Sequence, residues 1–149
     1  MTFGRRGAVG ASGPAGGQEQ STLAVDRNTH RASAGVAWRL PLADGRCNLS
    51  AATASFEATV LLPRLAADRP PAPDLQAAWT RYIGALRLHE AGHLRRAHDR
   101  LDDVAIAVRS SSCATANAAG ERILNEIRRD QAQYDAATQH GRTQGAMLR

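Results

Sequence analysis

Lysine is absent from this chain; all nineteen basic residues are arginine. That absence assigns no function by itself. The arginines are scattered and aromatic residues make up only 4%. A basic groove with stacking platforms for nucleic acid is therefore not expected, despite a formal net charge of +5. No run of 18 apolar residues occurs, so no membrane-spanning helix is expected. Cysteine is scarce. Cys47 and Cys113 have no C-x-x-C neighbour, so a cysteine zinc site is not expected. They leave two readings that spacing does not separate: one disulfide closing a long loop, or two buried thiols in a reducing compartment. Met1–Gln20 carries no repeating apolar pattern, and the Gly-Ala-Val-Gly-Ala after Arg5-Arg6 is too weakly apolar for a signal-peptide core. This stretch is expected to be a disordered tail or the product of a misplaced start codon.

What is present centres on His89-Glu90-Ala91-Gly92-His93, an H-E-x-x-H motif. Histidines four apart lie on one face of a helix, about one turn from each other, so both imidazoles can address one ion. The intervening glutamate projects from the flank of that face, within reach of water on the ion. Two nitrogen ligands, one general base and an open metal position make up the zinc-peptidase arrangement. The surrounding stripe runs Leu75, Trp79, Tyr82, Leu86, His89, His93, Ala97, Leu101, Val104, Val108, always in steps of three or four. The histidines thus face inward. A buried imidazole needs a partner for each nitrogen, which a metal on one side and an acceptor on the other would supply.

At 149 residues one domain is expected, spanning 21–149. From Leu23 to Leu62 the period is two. Val36, Trp38 and Leu40 alternate with Ala37 and Arg39, and Phe56, Ala58, Val60 and Leu62 alternate with Glu57, Thr59 and Leu61. Pro41 and Asp44-Gly45 mark a turn after which Cys47–Leu49 pairs back. Three or four short antiparallel strands with one buried face are expected, then a stiff linker over Asp68–Pro73. Asp74 is the expected N-cap of a long helix reaching Val108. Ser110–Ser112 breaks it. A second helix starts near Thr115 or Asn117 and reaches about Ala137, with Ile123, Ile127, Asp130, Tyr134 and Thr138 on one face. The fold class is α+β: a small antiparallel sheet packed on a long zinc-motif helix and a second, C-terminal helix, zincin-like.

A catalytic zinc takes a third protein ligand. His98 lies nine residues after His89, on the opposite face of a continuous helix. The metzincin pattern H-E-x-x-H-x-x-G-x-x-H would need glycine where Arg96 stands and histidine where Asp99 stands, so His98 reads as a surface residue. Glu126 opens Glu126-Ile127-Arg128-Arg129-Asp130, which looks like the E-x-x-x-D helix of the thermolysin-like gluzincins. His140 precedes Gly141, where the chain can turn and aim the imidazole.

The chain carries Leu62-Pro63, Trp79 ahead of the motif, and Tyr134-Asp135-x-x-Thr138-x-His140-Gly141-x-x-Gln144-Gly145. Through these marks, residues 34–146 resemble a bacterial family of unassigned function whose members are described as predicted secreted zinc-dependent proteases. The resemblance implies roles for Tyr134, Asp135 and His140, with His140 as third ligand beside His89 and His93, and an extracytoplasmic location. Family members are expected to carry an export signal and more strand sequence, and this chain shows neither. The expected activity is zinc-dependent cleavage of peptide or protein substrates, with Glu90 as general base. Tyr134 is expected to donate a hydrogen bond to the oxyanion and Asp135 to orient a histidine. The alternative is a non-catalytic zinc-binding or structural module of the same fold.

Overall fold

The structure, a computed structural model, describes residues 2–4, 18–27, 30–43, 46–65 and 71–148, with side chains described from Ala34 onward. Strands β1 (Thr2–Gly4), β2 (Gln18–Arg27), β3 (His30–Arg39) and β6 (Thr53–Leu61) form one antiparallel sheet in the order β1-β2-β3-β6. Between β3 and β6 a small hairpin pairs β4 (Leu42–Ala43) with β5 (Arg46–Cys47), Leu42 opposite Cys47. Its expected turn residues, Asp44 and Gly45, lie outside the described residues. The sheet is followed by three helices: α1 (Pro73–His98), α2 (Leu101–Arg109) and α3 (Ala116–Thr138). The protein is therefore α+β, with a small antiparallel sheet and helices.

The period-two segments become β3 and β6. Trp38 pairs with Ala54, Val36 with Phe56 and Ala34 with Ala58, so apolar residues stand directly opposite one another on the face turned to the helices. The core joins Val36, Trp38 and Ala52 to Ala97, Val104, Val108, Ala116, Ile123, Leu124 and Ile127. Trp38 is 1% exposed, and its Nε1 donates to Asn117 Oδ1 at 3.1 Å. The ring lies over Gly120, where a Cβ would come within 2.9 Å of two ring carbons. Sheet and α3 approach this closely only because residue 120 has no side chain. Gly120→Ala gains about 1 kcal/mol of helix propensity but overpacks a fixed ring, at about 1–3 kcal/mol. Urea denaturation is expected to show net destabilisation; a more stable variant would mean Trp38 can move aside.

Several expectations are corrected. The sheet reaches into the stretch read as a tail, because Thr2–Gly4 and Gln18–Gln20 are strand, paired on β2 and β3; the rest of that stretch lies outside the described residues. Asp74 is not the N-cap. Ala72 holds that position, Pro73 takes the first helical place, where its missing N–H costs nothing, and Asp74 sits in the first turn. The long helix does not run unbroken to Val108. It ends at His98, and Arg100 leaves helical geometry at φ −96°, ψ 3° before α2 begins. The Arg100 guanidinium pins this corner, pairing with Asp103 and, at 2.9 Å, with Glu126 of α3. Cys47 and Cys113 form a disulfide across a separation of 66 residues. It ties the hairpin to the start of α3 and, by restricting the unfolded chain, contributes about 4 kcal/mol.

Candidate metal centre

Helices α1 and α3 run antiparallel. His93 meets Gln131, His89 meets Asp135, and Arg100 meets Glu126. The H-E-x-x-H turn of α1 thus faces the last two turns of α3. His89, Glu90 and His93 are 2–3% exposed, Asp135 is 6% exposed and Gln131 is completely buried. The two imidazoles point at one spot: their Nε2 atoms are 3.1 Å apart. Asp135 Oδ1 lies 3.0 Å from His93 Nε2 and 3.3 Å from His89 Nε2.

Protonation of the rings follows from their other nitrogens. Gln131 donates its amide N–H to the His93 backbone carbonyl at 3.1 Å, which turns its Oε1 onto His93 Nδ1. His93 Nδ1 must then carry the proton. Gln144 places Oε1 3.0 Å from His89 Nδ1 while its Nε2 donates to Tyr134 Oη at 3.0 Å, so His89 is also protonated at Nδ1. Both Nε2 lone pairs therefore converge on each other and on a carboxylate oxygen, deep in the protein. That convergence is repulsive unless a cation, either a proton or a metal ion, lies among the three atoms. The triangle has edges of 3.0, 3.1 and 3.3 Å. Tetrahedral zinc, with ligand distances of about 2.0–2.2 Å, needs donors roughly this far apart. The donor set fits a divalent metal in size, in chemistry and in the hydrogen-bonded support behind each histidine.

The charges around the centre shift accordingly. Burial is the main cause that lowers the His89 pKa, outweighing the hydrogen bond that His89 donates to Gln144, which raises it, so the ring is neutral at pH 7. Burial and the Asp135 charge push the Glu90 carboxyl up to about 7. Burial also pushes Asp135 up, but attraction to His93 and then His140, and the hydrogen bond with His93 when a shared proton lies between them, outweigh it and hold that carboxyl below its ordinary value. Tyr134 stacks on His89, with ring centroids 5.2 Å apart and planes 13° apart, and the Arg96 guanidinium lies 4.6 Å from the Tyr134 ring centre. Gly92 makes this possible: a Cβ there would be 2.2 Å from Tyr134 Oη.

Beyond α3 the chain turns through three consecutive left-handed residues: Gln139 (φ 50°), His140 (φ 55°) and Gly141 (φ 82°). Such backbone is costly for the first two and easy only for glycine. Gly141 lies against His89, its would-be Cβ 3.0 Å from the ring. The turn folds Gln144 back over α1.

Of the residues singled out from sequence, the structure gathers His89, Glu90, His93, Tyr134 and Asp135. His140 reaches the group through Asp135, its Nδ1 3.4 Å from Oδ1, with half of its side chain exposed. Glu126 stands at the α1–α2 corner, paired with Arg100 and Arg122. His98 is a surface residue edge-on to Phe56, its side chain 66% exposed. Gln131 and Gln144 had no assigned role. The inward face of α3 is also rotated from the expected one: Gln131, Asp135 and Thr138 are buried, while Asp130 and Tyr134 are only partly so. Spacing held the signal for Gln131, since Ile127, Gln131, Asp135 and Thr138 repeat at three and four.

No helix among the described residues is long and apolar enough to cross a membrane. No curated protein and no solved structure matches this chain. A family model described as bacterial protein of unknown function (DUF922) matches residues 6–141, and the chain belongs to that family.

Proposed function

We propose that the protein is a zinc-dependent peptidase with a zincin-like fold, holding the metal through His89, His93 and Asp135. The observation that carries this reading is the convergence of two imidazole Nε2 atoms and a carboxylate oxygen in a buried triangle of zinc dimensions. A second ligand set, His89, His93 and His140, is favoured by the 3.4 Å approach of His140 Nδ1 to Asp135 Oδ1. Bound zinc would supply Lewis-acid polarisation of a carbonyl and acidification of water. Glu90, beside the ligands on α1, takes a proton from the attacking water and returns it to the departing amine. Tyr134 Oη accepts from Gln144, which leaves its own proton for the oxygen that gains charge. Strand β6, last in the sheet order and packed on α1 and α2, offers a backbone edge to an extended peptide. The Cys47–Cys113 disulfide supports an extracytoplasmic setting, where such bonds persist.

The test is metal content of untagged protein by native mass spectrometry, together with cleavage of a mixed peptide library. One zinc per chain is expected, with cleavage that a chelator abolishes and added zinc restores. Stoichiometric zinc without cleavage would replace the enzyme by the non-catalytic metal module; absence of metal binding would end both readings.

A further inference from the structure

We infer that Gln144 is a positioning residue that sets two atoms of the site at once, the metal-facing Nε2 of His89 and the hydroxyl proton of Tyr134. The inference deepens the reading of the site as a metal-dependent hydrolase and rests on it for the Tyr134 half. One amide does both tasks because its two ends differ. The Oε1 end, 3.0 Å from His89 Nδ1, accepts that ring's proton and so keeps Nε2 free to bind a cation. The Nε2 end, 3.0 Å from Tyr134 Oη, fills a lone pair of the hydroxyl. Tyr134 Oη lies 3.5 Å from Gln144 Oε1, too far for a strong bond in the return direction. The tyrosine proton is thereby left for a substrate oxygen. Once a cation takes His89 Nε2, the ring proton must sit on Nδ1 and a reversed amide would oppose donor to donor there, so metal binding and this amide orientation select each other.

The backbone aims this side chain. The Gln144 N–H donates to the Gly141 carbonyl at 3.0 Å, and the Ala146 N–H donates to the same carbonyl at 3.0 Å. Gly141 and Gly145 bracket the turn with φ of 82° and 91°. His93 receives matching support from Gln131, but that amide is wholly buried and its second bond goes to backbone. Gln144 is exposed and its second bond goes to Tyr134. It therefore links metal binding to the group proposed for the oxyanion.

Two substitutions separate the two ends. Gln144→Glu keeps an acceptor for His89 Nδ1 but offers Tyr134 no N–H, so the tyrosine proton is drawn to the new carboxylate. Gln144→Leu removes both contacts. Residue 144 is exposed, so both variants should fold, which circular dichroism checks. Cobalt(II) affinity, read by competition with a chromophoric chelator, is expected to fall about 10–100-fold in Gln144→Leu and to stay within about threefold in Gln144→Glu. Imidazole ¹⁵N spectra of metal-free protein should show His89 protonated at Nδ1 in the wild type and Gln144→Glu, and at Nε2 in Gln144→Leu. Turnover should fall in Gln144→Glu by the factor seen in Tyr134→Phe, with no further loss in the double variant. Equal cobalt affinity and tautomer in all three proteins would overturn the inference. So would equal losses in both variants, which would make the residue a mere support of the turn. Wild-type protein that binds no cobalt sinks the metal reading, and the nitrogen spectra still judge His89. Cobalt binding without turnover retains the His89 half and removes the Tyr134 half.

Discussion

Glu90→Gln is expected to retain stoichiometric zinc and to lose peptide hydrolysis by about 10²–10⁴-fold, the range for a positioned general base. Glu90 is 2% exposed and shares its helical turn with His89 and His93, so an isosteric amide preserves packing and leaves the ligand triangle intact. Only the ability to take a proton disappears. Measuring zinc content and turnover on one preparation separates the roles. Full activity in Glu90→Gln would remove the general-base assignment, and loss of zinc would make Glu90 part of the metal's support instead.

The same substitution has a second consequence in the metal-free protein. Burial, reinforced by Asp135, raises the Glu90 pKa from 4.5 to about 7. The folded state therefore holds this proton more tightly than the unfolded chain does. Stability from Glu90 is fully present below pH 4.5 and is lost as pH rises through about 7. The full loss is about 3 kcal/mol. Glutamine has no proton to lose. Metal-free Glu90→Gln should therefore be more stable than metal-free wild type at pH 8, and the difference should vanish toward pH 4. A bound cation favours the carboxylate and reduces the penalty. Urea denaturation at the two pH values, with chelator, reads this directly; equal wild-type and variant stabilities at pH 8 would mean Glu90 ionises without penalty in the fold.

Parts of this site were legible in sequence because they obey a period. The H-E-x-x-H spacing and the stripe from Leu86 to Ala97 gave the motif an inward face, and alternation around Val36, Trp38 and Phe56 gave the core face of the sheet. The break at Asp99–Arg100 was hidden because the stripe passes from Ala97 to Leu101 in one helical step whether or not the helix pauses. Beside its local pair with Asp103, Arg100 fixes that corner through a contact distant in sequence, Glu126, which spacing does not announce. Gln131 was missed because glutamine is ordinarily exposed, and its burial follows from the hydrogen-bonding needs of a histidine 38 positions earlier. Gly141 announced a turn, but nothing marked Gln139 and His140 as left-handed. Their strain is held by packing of the turn on His89. The pairing of Cys47 with Cys113 likewise depends on how the hairpin meets α3, which spacing does not encode.

The choice between Asp135 and His140 as third ligand sets up the other large effect. Structural zinc sites bind with about 10–16 kcal/mol, so each of a few protein ligands carries about 3–5 kcal/mol, or about 10²–10³-fold and more in affinity. A residue that only braces a ligand carries about 10–100-fold. His93→Ala removes a donor and leaves buried Gln131 facing a void, so zinc binding should fall by at least the ligand-sized factor. Asp135→Ala is expected to match it, because Oδ1 completes the triangle with both Nε2 atoms and its carboxyl is held ionised by the neighbouring histidines. His140 is half exposed and touches the triangle only at Asp135 Oδ1, so His140→Ala should show the smaller, bracing effect. Glu126→Ala should leave affinity unchanged, since its carboxylate is engaged with Arg100 and Arg122. Competition titrations with a zinc chelator rank the four variants. If His140→Ala falls as far as His93→Ala while Asp135→Ala keeps its metal, the ligand set is three histidines, and Asp135 is the residue that orients them.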